Sequence, residues 1–298
     1  MGNPAVPKTW ILQDVMKVAA EYLKEKGIDN PRLSAELLLA HQLDIPRIQL
    51  YLDFDRPLTE EEVAGYRSLI KRRILREPIQ YITGRQEFWS MEFAVGPDVL
   101  IPRPESEILV EQVLLLKREG MLPEGKPLRV LDIGTGSGCL AVSVAKEIEE
   151  ASLWATDVSG KALSVALLNA RRHGMEGRIE FRQGDIWQPF AHEEMLFEMI
   201  LSNPPYISSG AMDTLPQEVR DYEPRGALDG GEEGLFYIKR ILSEGPAFLS
   251  PGGWVLLEMD PEQIPKAVDI VESSGFYGEH RRVKDHCHRY RVLMARKG

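Results

Sequence analysis

Residues 128–145 read LRVLDIGTGSGCLAVSVA. Leu128 to Ile133 read as a strand, glycines follow at 134, 136 and 138, and Leu140 to Ala145 begin a helix. Strand, glycine-rich turn and helix in that order make a ligand loop. Glycine lets the backbone turn tightly and come close to a bound molecule, and the first amides of the helix face the site. Two nucleotide sites are excluded by spacing. A dinucleotide fingerprint would need glycine where Cys139 stands, and the Lys-Ser/Thr of a phosphate-binding P-loop is missing.

From Leu128 onward strands and helices alternate. Strands are predicted at 128–133, 152–157, 178–183, 197–202, 252–259, about 280–284 and 290–296, and helices at about 138–149, 160–173, 235–249 and 262–274. Such alternation gives an α/β fold with a mostly parallel sheet covered on both faces. The gap DHCH between the last two strands is too short for a crossover helix, so that pair is expected to be an antiparallel hairpin at one end.

Two carboxylates fall at strand ends beyond the loop. Asp157 closes SLWATD, where it can accept hydrogen bonds from both hydroxyls of a ribose. Asp185 follows the third strand in FRQGDIW, where it can accept from an exocyclic amine such as that of adenine. With the glycines they outline a site for an adenosine without phosphates. The fourth strand, FEMILS, ends in Asn203-Pro204-Pro205-Tyr206. Two prolines cannot extend a sheet, since neither donates an N–H and each fixes its φ angle.

The N-terminal portion has another pattern. TWILQDVMKVAAEYLKEKG has Thr9 as a plausible N-cap, Ile11, Val15, Val18, Ala19 and Tyr22 on one face, and Gly27 as a stop. Further helices start at Pro31 and at Thr59, where Thr59-x-x-Glu62 is a capping box. Phe88, Met91, Phe93 and Val95 then change the period to that of a short hairpin. The expected domains are therefore a helical partner-binding domain at 1–84, a β-hairpin linker at 85–100 and the α/β domain at 101–298.

The chain of 298 residues has a net charge of −10, unevenly distributed. Residues 1–85 carry 13 Lys and Arg against 12 Asp and Glu, and residues 86–298 carry 23 against 34. An acidic α/β portion repels a phosphate backbone, which argues against a nucleic-acid substrate. No apolar run approaches the roughly 18 residues of a spanning helix, so no membrane partner is expected. The two cysteines, Cys139 and Cys287, form neither a disulfide framework nor a metal-ligand spacing and suit a reducing cytoplasm. His286-Cys287-His288 reads as a hairpin turn, so no metal is expected. Lys71, Arg72, Arg73 and Arg76 read as a solvated helix face or, alternatively, as a partner-docking run.

DIGTGSG, the acid after the second strand, GD after the third and NPPY after the fourth resemble the seven-stranded, Rossmann-like S-adenosylmethionine-dependent methyltransferases of planar nitrogens. VLIPRPESEILVEQVL, LSNPPYI, EVRDYEPRGALDGGEEGL and LSPGGWVLLEM resemble, more narrowly, the release factor glutamine methyltransferases, the PrmC/HemK family. The likeness runs from about residue 78 to 275. It implies S-adenosyl-L-methionine as cofactor, held by Gly134, Thr135, Gly136, Ser137, Gly138, Asp157, Asp185, Ile186 and Asn203. It implies methylation of the glutamine in the Gly-Gly-Gln motif of class 1 peptide chain release factors in the cytoplasm.

On that reading Asn203, Pro204, Pro205 and Tyr206 bind the substrate, and Asn203, Pro204 and Tyr206 serve catalysis. The Asn203 side-chain oxygen and the Pro204 carbonyl each accept one N–H of a carboxamide, and Tyr206 offers a flat face. Pro204 and Pro205 fix the direction of these acceptors in advance. Arg103 and Glu105 of IPRPESE shape the pocket or simply start a helix. YEPRGALDGGEEG reads as a lid or a docking segment. The chain departs from the family at Asp260, where glycine is usual, and in the missing glycine after Asp285. A ribosomal protein glutamine methyltransferase would share every site motif. A nucleic-acid amino-methyltransferase would share NPPY but needs a basic cleft, and a cofactor-binding protein without catalysis would not need Asn203.

Overall fold

The computed structural model describes residues 10–122 and 128–298, which form two compact units. The first comprises the chain up to Gly84 together with Gln217–Tyr222. Its helices are α1 (Leu12–Glu25), α2 (Pro31–Leu43), α3 (Gln49–Leu52), α4 (Glu60–Ile74) and α5 (Ile79–Thr83). The expected cap Thr9 lies outside the described residues. In α1 the buried stripe is Leu12, Val15, Ala19 and Leu23, while Val18 and Tyr22, expected on the same face, are 50% and 40% exposed. Val18 and Tyr22 nevertheless share that face with Val15 and Ala19: the four line one apolar cleft with Val63, Tyr66 and Ile70 of α4.

Thr59 caps α4 as a closed capping box: its hydroxyl accepts from the Glu62 amide at 3.1 Å, and Glu62 accepts from the Thr59 amide at 2.8 Å. The basic run is only partly solvated. Arg73 is 4% exposed, donating to Glu218 at 2.7 Å and to the Glu77 carbonyl at 3.0 Å, because a buried guanidinium needs its donors satisfied. The Tyr222 hydroxyl donates to the Leu75 carbonyl at 2.7 Å, which fastens the other end of the short segment to the same unit.

The second unit opens with the antiparallel hairpin of β1 (Arg85–Phe88) and β2 (Met91–Ala94). Trp89 and Ser90 between them both have positive φ, as the tight hairpin turn requires. A 3₁₀ turn, Pro104–Ser106, leads into α6 (Glu107–Arg118). Then come β3 (Leu128–Ile133), α7 (Cys139–Glu147), β4 (Ala151–Asp157), α8 (Gly160–Arg172), β5 (Ile179–Gln183) and β6 (Phe197–Ser202). After α9 (Gln217–Tyr222), which belongs to the first unit, follow α10 (Phe236–Glu244), β7 (Leu249–Glu258), α11 (Ile264–Ser274), β8 (Tyr277–Lys284) and β9 (Tyr290–Lys297).

The seven strands lie in the order β5-β4-β3-β6-β7-β9-β8. Pairs up to β6–β7 are parallel, whereas β9 runs antiparallel to β8, as the short DHCH gap demands, and also to β7. Helices α6, α7 and α8 pack their apolar residues on one face of the sheet, and α10 and α11 on the other. The order reverses between β3 and β6, which opens a crevice at the carboxyl ends of those strands. Buried Asn169 of α8 ties the hairpin to the glycine loop: it accepts from the Ala94 amide at 2.7 Å and donates to the carbonyls of Ala94 and Ser137.

Candidate functional site

The crevice is a cleft whose lining brings together Gly134, Gly136, Asp157, Asp185, Ile186, Asn203, Pro204 and Pro205. Three strand ends and one loop after β5 supply these residues, so the sheet itself sets their spacing. Gly134 and Gly136 have φ of +71° and +55°, and a Cβ built on either meets nothing within 4 Å. That open space is a cradle for a ligand passing close to the backbone. The other loop residues turn inward. The Thr135 hydroxyl donates to buried Asp132 at 2.7 Å, Ser137 is buried, and Gly138 packs so closely that an added Cβ would lie 3.0 Å from that of Ala166.

Asp132 was not singled out by sequence. Burial pushes its carboxyl up to about 7 against the hydrogen bond from Thr135. Asp157 stands at the tip of β4, where its two oxygens accept from the amides of Gly136 (3.0 Å) and Ser159 (2.9 Å). Burial raises its carboxyl above the ordinary range, and those amide hydrogen bonds oppose the shift. An ionised carboxylate has about four acceptor positions, so both oxygens keep capacity for vicinal hydroxyls. Asp185 holds an ion pair with Arg240 at 2.6 Å through one oxygen. The donor set and the cradle thus fit an adenosine: a carboxylate for the ribose, a second for an exocyclic amine, and backbone room between them.

Asn203 follows β6 and is half-buried. Its amide nitrogen Nδ2 donates to Ser106 Oγ at 2.9 Å. Ser106 in turn donates to Glu258 Oε2 at 2.6 Å, and the Tyr206 hydroxyl lies 3.4 Å from Glu258 Oε1. Burial pushes the Glu258 carboxyl up to about 7, with the repulsion of Glu105 adding and Ser106, Arg291 and Tyr206 opposing. Tyr206 itself packs against the core under α10 and α11 rather than lining the cleft, and burial raises its phenol. Ser106 and Glu258 both sit inside distinctive stretches, IPRPESE and LSPGGWVLLEM, in which neither residue stands out. Their partners lie 97 and 152 positions away, so spacing gave no signal.

The segment after the motif is buttressed. Ile207 and Asp229 form a bridge, the Ile207 amide donates to the Leu228 carbonyl at 2.9 Å, and the Gly230 amide donates to the Ile207 carbonyl at 2.7 Å. A Cβ on Gly230 would lie 2.6 Å from the Pro205 oxygen, and one on Gly234 2.1 Å from the Tyr206 oxygen. These glycines permit close backbone packing; in this structure they do not mark a free lid. The Gln263 side chain adds a donor to the Tyr206 carbonyl at 2.8 Å. Buried Glu223 accepts from the Ile101 amide and pairs with Arg103 at 2.5 Å, which gives Arg103 a structural partner at the edge of the cleft.

Residues 14–84 match the family described as PrmC N-terminal domain, and residues 111–219 match the methyltransferase small domain. The chain is 41% identical over 270 residues to a release factor glutamine methyltransferase of Geobacter sulfurreducens, with 91% of each chain covered. It is 36% identical to one from Rhodopirellula baltica across the whole of both chains. One from Coxiella burnetii is 38% identical over 90% of this chain and 93% of its own. Among solved structures, the N-terminal domain of human METTL16 in complex with SAH superposes with a TM-score of 0.53 over 94% of both chains at 15% identity, a likeness of fold.

Proposed function

The chain belongs to the release factor glutamine methyltransferases, and on that premise we propose that it methylates the side-chain nitrogen (N5) of the Gly-Gly-Gln glutamine in a class 1 peptide chain release factor. S-adenosyl-L-methionine is the cofactor, and when bound it supplies a methyl group on a positively charged sulfur. Asp157 holds the ribose hydroxyls, Asp185 takes the adenine amine with its charge balanced by Arg240, and Gly134 and Gly136 leave room along the backbone. Ile186 lines the cleft from the loop after β5, and the inward-turned Thr135, Ser137 and Gly138 hold the shape of the glycine loop.

A carboxamide nitrogen is a poor nucleophile because its lone pair is delocalised into the carbonyl. Asn203 Oδ1 accepts one N–H of the substrate and the Pro204 carbonyl the other, so the lone pair is directed away from both acceptors. Pro205 fixes the Pro204 carbonyl, and the packed glycines behind it keep the motif from shifting. The alignment is preorganised, so the acceptors do not reorganise as charge develops on nitrogen.

One observation carries this reading. The Nδ2 end of Asn203 is held by Ser106, which leaves the accepting end of the carboxamide for the cleft that Gly136 and Asp157 also line. The helical unit would grip the release factor. A protein substrate is also in keeping with the acidic α/β portion, and among the described residues no helix is long and apolar enough to cross a membrane. Both cysteines are free thiols, in keeping with a reducing cytoplasm.

The test is incubation with methyl-labelled cofactor and a release factor, alongside the same factor with its Gly-Gly-Gln glutamine replaced. Label is expected only on the first, and equal labelling of both would reject the assignment. A ribosomal protein offered in competition separates the two glutamine substrates.

A further inference from the structure

Asn203 is useful only if its oxygen, not its nitrogen, meets the substrate. A carboxamide can flip by 180° with little change in shape, so something must choose between the two orientations. Three side chains from separate parts of the α/β unit converge on that choice: Asn203 after β6, Ser106 at the end of the 3₁₀ turn and Glu258 at the end of β7. Ser106 and Glu258 are 2% and 1% exposed, so water cannot substitute for either partner.

A serine hydroxyl has a single proton. At 2.6 Å from Glu258 Oε2 that proton is committed to the carboxylate, and the oxygen can then only accept from Asn203 at 2.9 Å. The bond direction therefore runs one way, from Asn203 Nδ2 to Ser106 to Glu258. We propose that Glu258, acting through Ser106, is the positioning residue that fixes which end of the Asn203 carboxamide faces the methyl acceptor. The inference rests on the functional reading above and adds two residues to it.

The device works only while the carboxylate is ionised. Once protonated, Glu258 can donate to Ser106, the serine proton is freed to point at Asn203, and the flipped carboxamide becomes equally well bonded. The groups facing Glu258 are Arg291 from β9, Glu105 from the 3₁₀ turn and Tyr206 from the motif, with the Cys139 thiol of α7 also within electrostatic reach. Arg291 favours the ionised form and Glu105 opposes it, while burial dominates and brings the carboxyl to about 7. The sign follows: a carboxyl held this high is ionised above neutrality and protonated below it, so ordered Asn203 is lost as pH falls.

The experiment uses the full chain and has two readouts. First, the side-chain NH2 resonances of Asn203, assigned by their absence in Asn203→Ala, are followed by NMR from pH 5.5 to 8.5. In the wild type they should titrate near neutrality, and in Glu258→Gln and Ser106→Ala that titration should vanish. Second, kcat is measured with a Gly-Gly-Gln peptide at saturating cofactor. Wild-type kcat should rise about twofold between pH 6 and 8, as two equally populated carboxamide orientations give way to one, each single variant should lower it about twofold at pH 8 and flatten the profile, and the double variant should be no worse than either single one.

A pH profile that persists unchanged in Glu258→Gln, wild-type kcat in Ser106→Ala, or additive losses in the double variant would each overturn the proposal. Glu258→Gln is nearly isosteric, and Ser106→Ala removes only an oxygen, so a folding failure in one leaves the other to decide. If the wild-type chain fails to methylate glutamine at all, the functional reading falls, whereas the NMR titration still decides whether Glu258 orients Asn203.

Discussion

Glycine serves opposite purposes in the two loops that border the cleft. Gly134 and Gly136 face empty space, so their missing side chains make room for a ligand. Gly230 and Gly234 lie against the backbone of the Asn203 motif, where an added Cβ would fall 2.6 and 2.1 Å from the Pro205 and Tyr206 oxygens, so their missing side chains let protein pack on protein. The first loop is built to receive and the second to brace. A glycine-rich stretch after an active-site motif is therefore no sign of mobility until its neighbours are known.

The sharpest way to break this contrast is at Asn203 itself. Asn203→Ala removes the proposed substrate acceptor and is expected to lower kcat by at least about 100-fold, the usual scale for a preorganised polar group at developing charge. Cofactor affinity by calorimetry should change by no more than about 1 kcal/mol, the net worth of one hydrogen bond. A larger loss would show that the residue supports the cofactor side as well.

Gly234→Ala tests the brace. The new methyl would lie 2.1 Å from the Tyr206 oxygen at a φ of +69°, so urea unfolding should show a loss of about 2–3 kcal/mol from overpacking and left-handed strain together. Unchanged stability would mean that the loop gives way freely, and the brace would not exist.

Asp157→Ala tests the receiving side. Cofactor affinity should weaken by about 2 kcal/mol, the scale of hydrogen bonds to a charged group, with kcat at saturating cofactor nearly intact. Gly136→Ala is the gentlest probe. With nothing within 4 Å of the added carbon, the folded chain should lose only about 1 kcal/mol for its positive φ, while cofactor affinity falls further than stability does. Equal changes in both would erase the distinction between the two loops.

The same contrast explains what the sequence alone could disclose. The glycine loop, Asp157 and Asp185 are legible because a strand, a turn and a helix are local events, and the residues that matter sit at strand ends fixed by that local order. The NPPY motif is legible because two prolines after a strand are chemically odd. Ser106 and Glu258 are not, since a serine in a turn and a glutamate ending an apolar strand have ordinary local meanings. The sheet order places the end of β7, and so Glu258, beside the end of β6, and the turn before α6 sets Ser106 between Glu258 and Asn203.

Arg73 is a related case. A basic run on a helix reads as solvated, yet one of its members is buried against Glu218, 145 positions away. In α1 the shared face of Val15, Val18, Ala19 and Tyr22 is legible, but not that Val18 and Tyr22 border an open apolar cleft, where they stay half exposed.

Cys139 occupies the first turn of α7, where a helix terminus ordinarily encourages thiolate formation, but burial pushes its thiol up to about 12. Cys287, in the turn between β8 and β9, is exposed. The native chain thus comes with one alkylatable sulfur out of two. A maleimide fluorophore should attach at that single position without any engineering, giving a fixed optical tag on the edge hairpin.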